Sequence, residues 1–259
     1  MSDQRSPIET ALAHPRHTLV VVLVVVPLIC WIWVLAMARD MYGSMSGASA
    51  WMMTVQWDAP RLILLWAMWG AMMAGMMLPT AAPMVLLYAR TLRNRPDPRG
   101  ASVRVYALAG GYTVVWLFFS VIATGLQRLL ARLLLLTPMM EPSSPRVAAV
   151  ILIIAGLYQF TPAKYACLQT CRSPIAFFSA SWREGVAGAF RMGASHGMYC
   201  LGCCWALMLL LFAGGVMNVV VILALTVWVA IEKIAPFGEQ SARVSGALLL
   251  GAAVWMLSR

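Results

Sequence analysis

Residues 62–88, LILLWAMWGAMMAGMMLPTAAPMVLLY, run for 27 positions without a charged side chain. A helix crosses about 30 Å of hydrocarbon in about 20 residues, so this stretch is long enough to span a bilayer and too apolar for a soluble surface. It sets the fold class. The same template, moved outward along the chain, finds six further apolar segments at roughly 18–38, 105–126, 146–161, 193–212, 216–233 and 243–258. The expected fold is all-α: a polytopic helical membrane protein of about seven transmembrane helices, or six if the short fourth segment does not cross. Residues 1–17 are expected to form a cytoplasmic N-terminal segment, and residues 18–259 a single helical transmembrane domain. Ala36-Met37-Ala38 resembles a signal cleavage site, but the apolar core before it exceeds the usual 7–15 residues, so the first segment reads as a signal anchor.

Composition agrees with this reading. The chain is 62% hydrophobic and 11% charged, whereas a soluble domain carries about 25% charge. Neither a Walker-type nor a dinucleotide-type glycine loop occurs, which argues against ATP-driven pumping by this chain alone. The net charge of +10 sits on single loop arginines rather than on a basic helix, so a nucleic-acid partner is not expected. With a cytoplasmic N-terminus, thirteen of the 19 Lys and Arg residues fall on the cytoplasmic side, in accord with the positive-inside rule. The strongest contribution is the loop in which Arg90, Arg93, Arg95, Arg99 and Arg104 surround Pro96 and Pro98. Trp31, Trp33, Trp51, Trp57, Trp66 and Trp69 are expected near the outer interface as an aromatic belt.

Sulfur is distributed unevenly. Of 19 methionines, eleven lie between Met37 and Met84. Met41, Met45, Met52 and Met53 fall in or beside the first outer loop, where Asp40, Gln56 and Asp58 can attract a cation. Met68, Met72, Met73, Met76, Met77 and Met84 follow in the second span. At 3.6 residues per turn, Met68, Met72 and Met76 form one line, and the six together cover about half of the helix circumference. The other half carries Ala67, Gly70, Ala71, Ala74 and Gly75, small residues that let a neighbouring helix approach closely. One face is expected to pack while the other offers thioether sulfur, a soft neutral ligand suited to Cu(I). The bland alternative is that methionine fills irregular gaps as a flexible apolar residue. Pro79 and Pro83 should bend the end of this span, because each removes a backbone donor.

Five of the six cysteines lie between 167 and 204. Cys167 and Cys171 occupy the segment before the fifth span, read as a loop, and His196, Cys200, Cys203 and Cys204 occupy the start of that span. On a helix His196, Cys200, Cys203, Cys204 and Met192 share one stripe about 120° wide. On the cytoplasmic side these thiols stay reduced, which favours a metal or redox role over a permanent disulfide. A tetrahedral zinc site would take His196 and Cys200, Cys203 or Cys204 with Cys167 or Cys171, whereas Cu(I) needs only two or three of them. The alternative is buried cysteine acting as a small hydrophobe in a tight helix contact, which Gly193, Gly197 and Gly202 also suit. Arg191 and Lys164 are available to favour a thiolate. No Asp or Glu falls in the middle of a span; Glu232 and Lys233 end the sixth.

The runs Met68-Trp69-Gly70-Ala71-Met72-Met73-Ala74-Gly75-Met76-Met77-Leu78-Pro79 and His196-Gly197-Met198-Tyr199-Cys200-Leu201-Gly202-Cys203-Cys204-Trp205 resemble a bacterial family labelled predicted metal-binding integral membrane protein. The stretch from Gly156 to Lys164, followed by Cys167-Leu168-Gln169-Thr170-Cys171-Arg172-Ser173-Pro174, fits the same resemblance, which covers roughly residues 60–235. It implies metal binding, without a mechanism. The combined expectation is a protein of the bacterial inner membrane that binds, and transports or delivers, a soft transition metal, with copper as Cu(I) ahead of zinc. The lipid bilayer is its solvent, and a metal chaperone or metalloenzyme its partner. Two alternatives stand beside it: a membrane thiol oxidoreductase using Cys167/Cys171 or Cys200/Cys203, and a non-transporting scaffold for assembling a metalloenzyme.

Overall fold

The computed structural model describes residues 15–43, 45, 47, 50, 57–93 and 100–258. Met52, Met53, Trp51 and Gln56 of the expected outer loop lie outside the described residues. So do Arg95, Pro96, Pro98 and Arg99 of the basic loop, and residues 1–14 of the N-terminal segment.

Among the described residues helix is the only regular secondary structure, apart from one isolated bridge between Leu136 and Pro142. The helices are α1 (Pro15–Val20), continued through a π-turn at Val21–Val25 into α2 (Val26–Met41), then α3 (Ala59–Thr80), α4 (Ala82–Arg93) and α5 (Ala101–Arg132). They are followed by α6 (Pro145–Tyr158), α7 (Pro162–Arg172), α8 (Pro174–Ser181), α9 (Gly185–Gly214), α10 (Val219–Ile234) and α11 (Gly238–Leu257). Each of the seven apolar segments lies mainly on helix.

Their starts follow from local chemistry. A short oxygen-bearing side chain accepts a hydrogen bond from a first-turn N–H, often with proline at the next position, where no donor is needed. Asp58 caps α3 through Arg61 N at 3.1 Å, Ser144 caps α6, Thr161 caps α7, and Asn218 caps α10. At the proline pair the helix breaks: α3 ends at Thr80, one residue beyond Pro79, and α4 begins at Ala82.

Among the described residues four helical stretches are long and apolar enough to cross a membrane: His17–Met41, Ala59–Thr80, Ala101–Arg132 and Gly185–Gly214. The pair α6 and α7, bent by 67°, makes a fifth if taken as one span. The 16 residues of α10 fall short of the usual crossing length. Large apolar side chains such as Ile32, Phe118, Val121, Val220 and Leu248 point outward from the helices. The connections sort into two ends. Tyr42 donates to Glu141 and Val216 N to the Met140 carbonyl at one end, while Arg172 donates to the Ala235 and Pro236 carbonyls at the other.

The centre of the bundle is α9, packed on α5 most extensively and also on α6, α7 and α10. Glycine permits the α5–α9 contact. A Cβ on Gly193 would overlap the Leu108 carbonyl, and one on Gly111 the Phe190 carbonyl, so the two backbones touch directly.

Two expectations are corrected here. From Met68 to Leu78, α3 is buried on almost every side, so it has no open sulfur face; a helix apolar all round belongs in the core. Trp69 likewise leaves the aromatic belt: it is fully buried, and its Nε1 donates to Gln127 Oε1 at 2.8 Å.

Candidate functional site

The site forms where α3, α5, α7, α9 and α10 converge. Helix α9 places His196, Cys200, Cys203, Cys204 and Met192 on one stripe, and all five are buried. The segment carrying Cys167 and Cys171, expected as a loop, is the helix α7, and both thiols turn toward α9. Cys171 Sγ lies 3.9 Å from Cys203 Sγ. Cys167 Sγ reaches α9 one residue earlier, at Gly202, where even a Cβ would stand only 2.6 Å from it. The six cysteines are all free.

Cys200 is the most heavily wired of the thiols. Lys233 Nζ and Tyr112 Oη each lie 2.9 Å from its sulfur. Lys233 Nζ also lies 3.3 Å from Thr80 Oγ1 and 3.7 Å from Met77 Sδ. Tyr112 donates to the Met77 carbonyl at 3.0 Å, and Thr80 to the same oxygen at 2.8 Å. The Cys200 carbonyl accepts from Cys203 at 3.1 Å and Cys204 at 2.9 Å. His196 packs its ring 5.1 Å from Phe177 and 6.2 Å from Tyr112, and its Nδ1 is buried without a hydrogen-bond partner among the described residues.

The cation beside the thiols is therefore Lys233, in place of the expected Arg191 or Lys164. Arg191 is exposed, and Lys164 is committed elsewhere. Lys164, with no exposed surface, pairs with Glu232 Oε2 at 2.6 Å. The other carboxylate oxygen accepts from Trp228 at 3.0 Å, Gln159 at 3.1 Å and Ser245 at 3.3 Å. Glu232 and Lys233 thus do not merely end a span at the water boundary. Both are buried, and they face different partners: one holds α7, the other holds the thiol.

Of the methionines, Met68, Met73, Met76 and Met77 are fully buried and Met72 nearly so. Met77 alone among these five has its sulfur on the Cys200 assembly. The crevice beside Met72, lined by Cys30, Trp31, Gly75 and Ile222, is too small for a water molecule. Among the described residues, no three His, Cys, Asp or Glu side chains stand in an arrangement ready to hold a metal ion. The sulfur–sulfur contact joins Cys171 to Cys203, one thiol from each motif, and so differs from both pairs expected for a thiol oxidoreductase.

Sequence reasoning missed Lys233 as a partner of Cys200, and with it Tyr112 and Thr80. Their signal was faint: a lysine closing an apolar helix resembles an interfacial anchor, and a lone tyrosine in a span resembles packing.

The buried centre of this helical bundle gathers thiols, a thioether, an imidazole and an ammonium, and sulfur donors are of the type that soft metals prefer. A family model described as "Copper chaperone", PpoB2, matches residues 66–256, and the chain belongs to that family. The matched region contains every residue of the site. No curated protein and no solved structure matches the chain.

Proposed function

We propose that this chain lies in a membrane, the inner membrane of a bacterium, and holds copper as Cu(I) on sulfur for delivery to a metalloenzyme or a further chaperone. The observation that carries the proposal is the Cys171–Cys203 contact beside Cys200. Two sulfurs bound at about 2.3 Å and about 120° apart around one three-coordinate metal stand about 4.0 Å apart, close to the 3.9 Å in this bundle. Cu(I) accepts two or three such ligands, so two thiolates among Cys171, Cys200 and Cys203 suffice, with neutral His196 Nδ1 as a third donor by side-chain rotation, without a preformed cage. Cys167 stands one position away as the next thiol for ligand exchange.

Met77 joins this centre to the methionines of α3. In the transport version of the proposal, Cu(I) moves from Met68, Met72, Met73 and Met76 toward the thiols, from weaker to stronger donors. The tight packing around Met72 favours holding and delivery over a standing pathway.

Copper content decides the matter. Reduced protein purified without oxygen should carry Cu(I), and the variant Cys171→Ser/Cys200→Ser/Cys203→Ser should lose nearly all of it. Equal copper in the two would overturn the site. Uptake by proteoliposomes tests transport separately: copper flux that falls in Met72→Leu supports the ladder, and no flux in the wild type leaves a holding protein.

A further inference from the structure

We infer that Lys233 selects the charge of the metal, making this a site for a monovalent ion on two thiolates and disfavouring a divalent one. The inference deepens the copper reading and rests on it. Its starting point is an anomaly of polarity: an ammonium sits at the centre of a sulfur-rich core. Lys233 meets three acceptors, Cys200 Sγ, Thr80 Oγ1 and Met77 Sδ, and an ammonium has three hydrogens to offer them. Two of the three acceptors are sulfur.

The surrounding charges make this one unusual. Among the described residues Lys233 faces no carboxylate. The nearest by sequence, Glu232, is engaged by Lys164 on one oxygen and by Gln159, Trp228 and Ser245 on the other. Arg172 turns away to the carbonyls of Ala235 and Pro236. Lys164 and Glu232 cancel each other, so Lys233 is the charge left over at the centre.

A net charge in a medium of low dielectric costs several kcal/mol unless something neutralises it. Two thiolates binding one monovalent ion carry a net charge of −1, and Lys233 brings the assembly to zero. The same two thiolates binding a divalent ion are already neutral, and Lys233 leaves an uncompensated +1. A third thiolate would rebalance the divalent case and unbalance the monovalent one. The lysine therefore links metal charge to ligand number: a monovalent metal with two thiolates is the neutral combination. Soft donors alone admit both Cu(I) and Zn(II); the buried ammonium separates them.

The test is the ratio of Cu(I) to Zn(II) affinity, measured by chelator competition on reduced, detergent-solubilised full-length protein. Lys233→Gln should shift that ratio toward zinc by about tenfold or more, while Lys233→Arg should hold it within about threefold, since the fixed charge is what matters. An unchanged ratio in Lys233→Gln, with Cu(I) still bound by the wild type, overturns the inference and leaves the copper reading standing. A wild type that binds no Cu(I) overturns both. X-ray absorption on the copper-loaded wild type gives a measurement independent of how the variants fold. Two sulfur neighbours from cysteine are expected, and three or more anionic sulfurs would overturn the charge argument.

Discussion

The buried sulfur of this protein falls into two regions that behave differently. Along α3, Met68, Met72, Met73 and Met76 are buried in the hydrophobic core. Around Cys200, every sulfur stands beside a group that can donate, accept or carry charge: Lys233, Tyr112, another thiol or a backbone carbonyl. Abundance marks the first region and wiring marks the second. Burial alone therefore does not distinguish the two regions; the polar partners do. Met77 is the junction, the one methionine of the ladder whose sulfur touches the ammonium.

The contrast can be broken at either end, and the largest effect belongs to the ion pair that braces the wired region. Lys164→Met leaves Glu232 buried without its cation and should destabilise the protein by about 3–5 kcal/mol, read by denaturant titration in micelles. Lys164→Met/Glu232→Leu should recover most of that loss. If the single variant unfolds no earlier than the wild type, the brace carries no weight. Next comes Gly193→Ala, whose methyl would press into the Leu108 carbonyl and separate α5 from α9; the expected cost is about 1–3 kcal/mol with weakened copper retention. Smallest is Met72→Leu, a swap that nearly conserves volume. Stability should change by less than about 1.5 kcal/mol and copper content should not change at all. A Met72→Leu protein that purifies without copper would move the methionine region into the same class as the cysteines.

Much of the fold was legible because the dominant signal, long uncharged runs, is local. Each apolar segment lies mainly on helix, the proline pair divides α3 from α4, and the caps at Asp58, Ser144, Thr161 and Asn218 stand where short polar residues precede the apolar runs. The span from Pro162 to Ser181 was harder. It is two short helices, and α7 is polar enough to pass for a loop, although the i, i+4 spacing of Cys167 and Cys171 already suited a helix. The stripe on α9 was legible for the same reason. What periodicity cannot supply is which stripe faces which. Cys171 meets Cys203 across 32 positions, Lys233 meets Cys200 across 33, and Lys164 meets Glu232 across 68. The methionine face was misjudged because amphipathicity was sought in a helix that is apolar on all sides, where side-chain size does not tell a lining from a filling.

The glycine seam between Gly111 and Gly193 bears on timing. Backbones in direct contact cannot shift register without prising apart the pair of helices that frames Tyr112 and Cys200. Motion there is left to the rotation of individual side chains rather than to collective sliding at about microseconds to milliseconds. In the proposed holding role, cargo would leave such a place by a local turn within a stationary frame, not by the rocking of one half of the molecule against the other.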